Sequence, residues 1–129
     1  VRFRKDQSNQ MSRTWEEVKP LIEAALEYQD THNITDVERE LANDRAQLWC
    51  GKKSALITQV EDHPRGKKVR VWLAGGDLGE LVEMLAEVEQ WAAEQKCLSV
   101  VIQGRHGWAR VLKNYTQPYV SLERNIDYG

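Results

Sequence analysis

Apolar residues recur at helical spacing through Trp15, Val18, Leu21, Ile22, Ala25 and Leu26, which predicts an amphipathic first helix running to Tyr28. Thr14-Trp15-Glu16-Glu17 has the form of a capping box at its start, and Pro20 either kinks that helix or marks where its regular part begins. After a polar link, Thr35-Asp36-Val37-Glu38 supplies a second capping box for a short helix over about 36–45. The period then falls to two. Leu48-Trp49-Cys50 reads as a strand, Gly51-Lys52-Lys53 as a tight turn, and 54–60 as a second strand rich in β-forming residues. Glu61 to Gly66, with Pro64 inside it, reads as a hairpin loop into a third strand over 68–73, so the first three strands form an antiparallel meander.

The pattern changes again at Ala74-Gly75-Gly76, where the alternation Val69-Arg70-Val71-Trp72-Leu73 breaks. From about 77 to 95, Leu78, Leu81, Val82, Leu85, Val88, Trp91 and Ala92 fall on one helix face, with glutamates on the other. The apolar run at 98–102 predicts a strand buried on both sides and laid parallel to the strand at 68–73, completing one βαβ unit. Gly104 to Gly107 reads as a loop and Trp108 to about Asn114 as a short helix. In a final strand over 119–126, Val120, Leu122 and Ile126 alternate with Ser121, Glu123 and Asn125. The predicted order is α-α-β-β-β-α-β-α-β. It describes an α/β fold, an α+β mixed sheet with helices against it, as one domain over 12–129 behind an N-terminal tail at 1–11.

Composition narrows the functional classes. The 129 residues are 41% hydrophobic and 29% charged, the balance of one water-exposed globular domain. No apolar run reaches the roughly 18–20 residues a membrane-spanning helix needs. A net charge of −2 gives no field that would draw nucleic acid or an anionic membrane surface. The basic clusters Arg2/Arg4/Lys5, Arg65/Lys67/Lys68 and Arg105/Arg110/Lys113 therefore read as solvated edges. Cys50 and Cys97 have no CxxC spacing and are expected to be buried free thiols, while His32, His63 and His106 lie too far apart in sequence to suggest a metal site. The five tryptophans read mainly as core, and Trp72 would mark a contact surface if it were exposed.

The chemistry suggested by the residues themselves lies at the glycine turn. A strand that turns on Gly75 and Gly76 into a helix presents main-chain N–H groups at the positive end of the helix dipole, a place suited to a phosphate or pyrophosphate. Asp77 competes for the same donors, because as an N-cap residue its carboxylate would accept from them.

The element order, the glycine turn before the long helix, and the run Gly104-Arg105-His106-Gly107-Trp108-Ala109-Arg110-Val111-Leu112-Lys113-Asn114-Tyr115 together resemble the GNAT superfamily of N-acyltransferases. The resemblance spans Thr14 to Ile126 and is greatest to the small, divergent GNAT-like proteins of bacteriophage and prophage genomes. It implies an acetyl-CoA-dependent N-acetyltransferase of the bacterial cytoplasm that passes its acyl group directly to an amine, with no metal, and a homodimer as the assembly to look for. It further implies that backbone groups of the strand through Val71 and Leu73 bind the pantetheine arm, and that Ala74, Gly75, Gly76, Asp77, Leu78 and Gly79 hold the pyrophosphate. On that scheme a bulky residue at Gly76 weakens cofactor binding without unfolding the chain.

The departures from the family pattern are specific. Leu73 stands where the family has Gln or Arg, Leu78 where it has a small residue, and Leu112 where it often has the tyrosine that protonates the coenzyme A thiolate. Tyr115, or else Tyr119, is left as the acid. Glu61 is left as the base, with Asp62 and His63 beside it as alternatives. The rival reading is a GNAT-like scaffold without catalysis, serving as a phage-associated binding or assembly protein.

Overall fold

The computed structural model describes residues 14–27, 31–102, 107–117, 122, 124 and 126–128. Helix α1, Trp15–Leu26, starts with the capping box its sequence predicts: Thr14 Oγ1 accepts from the Glu17 amide, and Glu17 Oε1 accepts from the Thr14 amide. Pro20 sits inside this helix, which continues through it. Helix α2, Ile34–Ala42, begins earlier than expected because Asn33 and Asp36, not Thr35 and Glu38, make its box. That leaves Glu38 to tie the two helices together, accepting from Trp15 Nε1 at 2.8 Å and pairing with Lys19 Nζ at 3.2 Å. The hydrogen bond from Trp15, followed by that from Lys19, holds the Glu38 carboxyl below its ordinary range.

Strands β1 (Gln47–Cys50), β2 (Ala55–His63), β3 (Gly66–Gly75) and β4 (Ser99–Ile102) form one sheet in that order, antiparallel except for the parallel pair β3–β4. The loop expected at 61–66 is mostly strand. Glu61 faces Lys68 and Asp62 faces Lys67, so opposite charges sit across the ladder, and only Pro64 and Arg65 are left to turn the chain. Helix α3, Leu78–Glu94, connects β3 to β4 and supplies the crossover of the predicted βαβ unit.

The sheet separates two cores. On one face Val18, Ile22, Val37 and Leu41 of the first two helices pack on Leu48, Ile57, Trp72 and Leu73. On the other, Leu81, Met84, Val88 and Trp91 of α3 pack on Trp49, Leu56 and Val69. Strict alternation would send Trp72 and Leu73 to opposite faces, but the register slips between Ile57, opposite Leu73, and Thr58, opposite Val71. Trp72 is the extra residue of a β-bulge, and it joins Leu73 in the core under α1. It is therefore buried, edge-on to His32 with ring centroids 5.0 Å apart, and not a contact surface.

Strand β4 corrects a second expectation. Its residues are half-buried or exposed, since only β3 flanks it among the described residues. Helix α4 is short, Gly107–Val111. Of the final strand expected over 119–126, Leu122, Arg124 and Ile126 lie in no strand, and the remaining positions fall outside the described residues, as do the tail at 1–11 and the loop residues Gly104 to His106. Among the described residues no helix is long and apolar enough to cross a membrane.

Candidate functional site

Among the described residues the last parallel pair between β3 and β4 is Val71–Ile102, where the described part of β4 stops, and β3 runs on through Trp72, Leu73, Ala74 and Gly75. At about 3.3 Å per residue this leaves roughly 13 Å of strand beyond the last parallel pair. Among the described residues, nothing pairs with the β4-facing main-chain groups of this stretch. Main-chain groups in such a position need a partner, and an extended amide-bearing ligand can provide one. This end of β3 leads through Gly76 and Asp77 directly to the head of α3.

At that head the structure uses the glycines for packing. A Cβ on Gly75 would run into the carbonyl oxygen of Leu21 in α1, and one on Gly76 into Lys53 and Ser54 of the β1–β2 turn. Gly76 also has a φ of +120°, which side chains disfavour. The expectation that a bulky residue at 76 would spare the fold is thus corrected: this glycine is a close-approach point between β3 and its neighbouring turn. Leu73 likewise points into the α1 core, so the place where the family has Gln or Arg is apolar and closed here. Ala74 faces the α3 side.

Asp77 caps α3, its Oδ2 accepting from the Glu80 amide at 2.9 Å. The Asp77 amide itself donates to Ser54 Oγ at 2.9 Å, and Leu81 N donates to the Asp77 carbonyl. Glu80 completes the lock by accepting from the amides of Lys52 at 2.7 Å and Lys53 at 2.8 Å. The amides of Leu78 and Gly79 take part in none of these bonds. Both residues are exposed, and a Cβ at Gly79 would meet only Asp77 Oδ2 at 3.4 Å, so space stands open before them. Sequence reading missed Lys52, Lys53, Ser54 and Glu80. They become neighbours of the glycine turn only through the β1-β2-β3 order, and no motif signals that.

The catalytic candidates lie apart from this head. Glu61 is on β2, with Arg70 Nε at 3.6 Å and His63 Nε2 at 3.7 Å. It shares the α1–α2 face with Gln59 and borders an open cavity of about 400 Å³ that also receives Glu40, Asp44 and Arg45 from the α2 end. Tyr115 follows α4, and its hydroxyl donates to Glu89 of α3 at 2.6 Å. Burial first, and the Glu89 carboxylate second, push this hydroxyl well above the usual tyrosine range. The structure thus places Glu61 with the α1–α2 layer and Tyr115 with the α3 layer. Cys50 is buried and Cys97 half-buried, neither in a disulfide, and no cluster able to hold a metal exists among the described residues.

No family model matches the chain, and neither does any curated protein. Solved structures do. The protein TTHA1254 from Thermus thermophilus superposes with a TM-score of 0.63 at 16% identity, over 89% of this chain and 95% of that one. A predicted acetyltransferase from Clostridium acetobutylicum, solved with acetyl-CoA, gives 0.61 at 11% identity, over 86% and 92%. A GNAT family acetyltransferase from Staphylococcus aureus gives 0.53 at 10% identity, over 94% and 90%. At these identities the likeness speaks to architecture, and the mixed four-stranded sheet with its flanking helices has the fold of the GNAT acetyltransferases.

Proposed function

We propose that the chain is an acetyl-CoA-dependent N-acetyltransferase acting by direct transfer to an amine. The observation that carries this reading is that β3 runs on past Val71, its last parallel pair among the described residues, to the head of α3. Main-chain groups of β3 beyond Val71 that pair with nothing among the described residues suit the amides of a pantetheine arm. The exposed amides of Leu78 and Gly79, with the side chains of Lys52 and Lys53 on the adjoining turn, suit a diphosphate. That a neighbour of this fold was solved with acetyl-CoA supports the choice of ligand.

In the reaction, an amine nitrogen adds to the thioester carbonyl. The tetrahedral intermediate then collapses, breaking the C–S bond, and the amine proton leaves to a base while the thiolate takes up a proton. Glu61 is the base we assign: Lys68, its partner on β3, lies three residues before Val71, which puts Glu61 about 10 Å along the sheet from the last described parallel pair, so the acceptor amine has to be brought to Glu61 for it to act. Tyr115 is the acid we assign, and it must leave Glu89 to act. The test is release of free coenzyme A from acetyl-CoA in the presence of small polyamines and peptide amines. Turnover that falls at least tenfold in Glu61→Gln supports the assignment; no release with any amine contradicts the enzyme reading.

One set of observations favours the second reading, a GNAT-like binding or assembly protein without catalysis. Asp77 already occupies part of the helix head, Gly75 and Gly76 serve packing, and Tyr115 is engaged elsewhere. Binding of acetyl-CoA without turnover would be its signature.

A further inference from the structure

The ladder between β1 and β2 stops at the pair Gln47–Thr58, but β2 continues to His63. Over 59–63 it pairs with β3 on one side, and among the described residues nothing pairs with its other side. The β1–β2 turn fixes which groups face outward there. Gly51 N donates to the Ser54 carbonyl at 2.8 Å, so Ser54 turns its main chain toward β1, and alternation along an antiparallel strand gives Leu56, Thr58, Val60 and Asp62 the same direction. Beyond the end of β1, the N–H and C=O groups of Val60 and Asp62 therefore point off the sheet.

The cavity of about 400 Å³ beside Glu61 lies against this edge, not against one face of the sheet: Gln59 and Glu61, from the α1–α2 face, line it together with Val60, which packs on the α3 side. Gln47, only 8% exposed, also lines it; its Oε1 accepts from Thr58, and its amide hydrogens bond to nothing among the described residues. The lining sets Glu40, Asp44 and Glu61 against Arg45 alone, and Arg45 Nε already donates to Glu40 at 2.7 Å. Asp62, next along the edge, adds another carboxylate. An edge guarded by charges of one sign turns away acidic strands and favours basic ones.

We propose that the edge of β2 over Val60 and Asp62 receives an extended segment of a partner protein, one with lysine or arginine at alternate positions. The partner's main chain pairs with the outward groups of Val60 and Asp62, as an added strand does. Its basic side chains, all on one side of that strand, lie across from Gln59 and Glu61 and enter the cavity among the carboxylates. The spare hydrogens of Gln47 suit one of its carbonyls. The inference does not depend on acyl transfer.

Calorimetry on the full chain tests it, with a capped hexapeptide of alternating valine and lysine as the probe. Saturable binding is expected, with hydrogen exchange at the Val60 and Asp62 amides slowed roughly tenfold at saturation. In Glu40→Gln/Glu61→Gln the affinity should fall roughly fivefold with the far-ultraviolet spectrum unchanged, since neither side chain belongs to a core. Methylating the valine amides of the peptide, which face Val60 and Asp62 in the added strand, should abolish binding, as should glutamate in place of lysine. No binding at millimolar peptide overturns the proposal. Equal affinity for the methylated peptide overturns strand addition, and equal affinity for the glutamate peptide overturns the basic partner.

Discussion

Asp77 is the residue on which the two functional readings disagree most sharply, and Asp77→Asn separates its structural role from its charge. The carboxylate Oδ2 accepts from the Glu80 amide at 2.9 Å, and an asparagine carbonyl oxygen at the same place can accept that bond, since the two residues are equivalent N-caps. What is lost is the charge–dipole attraction at the head of a 17-residue helix, about 0.3–1 kcal/mol at an exposed site. What is gained, if a diphosphate sits on the amides of Leu78 and Gly79, is relief of repulsion between like charges a few ångströms apart, roughly 1 kcal/mol in water-like surroundings, or about fivefold in affinity. The variant should therefore be slightly less stable in a denaturant titration and bind acetyl-CoA about fivefold more tightly by calorimetry, with the gap narrowing as salt is raised. Unchanged or weaker binding would refute a phosphate site at this helix head.

Gly76→Ala should cost at least about 2 kcal/mol in chemical denaturation, through positive φ and collision with Lys53 and Ser54, whereas Gly79→Ala should be neutral or stabilising by up to about 1 kcal/mol because its surroundings are open. Equal effects at the two positions would contradict the packing described. Glu80→Ala removes the acceptor for two turn amides that water can then reach, so a loss of about 1–2 kcal/mol is expected in the same assay. Tyr115 binds its proton more tightly when folded, so its contribution is whole below about pH 10 and declines as pH rises above the unfolded tyrosine value. Tyr115→Phe should flatten that alkaline decline by up to about 1.4 kcal/mol per pH unit, and parallel curves would argue against the Glu89 contact.

The elements carried by periodicity were legible from the sequence. The amphipathic faces of α1 and α3, the antiparallel meander and the parallel β4 all follow from spacing of apolar residues, because burial of one face enforces that spacing. Boundaries set by side-chain competition were less so. Both Asn33/Asp36 and Thr35/Glu38 have capping chemistry, and Glu38 is drawn instead to Trp15 and Lys19, a tertiary contact. The hairpin was read as loop because Pro64 and Gly66 are turn residues, but cross-strand charge pairs extend the ladder to them. Trp72 escaped alternation through a bulge that leaves no local mark. At the site, the glycine turn and the Asp77 cap were visible, whereas the lock of Ser54 and Glu80 on the β1–β2 turn depends on strand order.

An amide-resolved nuclear magnetic resonance titration examines, at the atoms concerned, whether the end of β3 beyond Val71 and the head of α3 receive acetyl-CoA. Adding acetyl-CoA should give saturable shifts at Leu73, Ala74, Gly75, Leu78 and Gly79, with the hairpin around Pro64 and Arg65 undisturbed. Spectra that stay unchanged at millimolar ligand, or shifts confined to another face of the sheet, would contradict it.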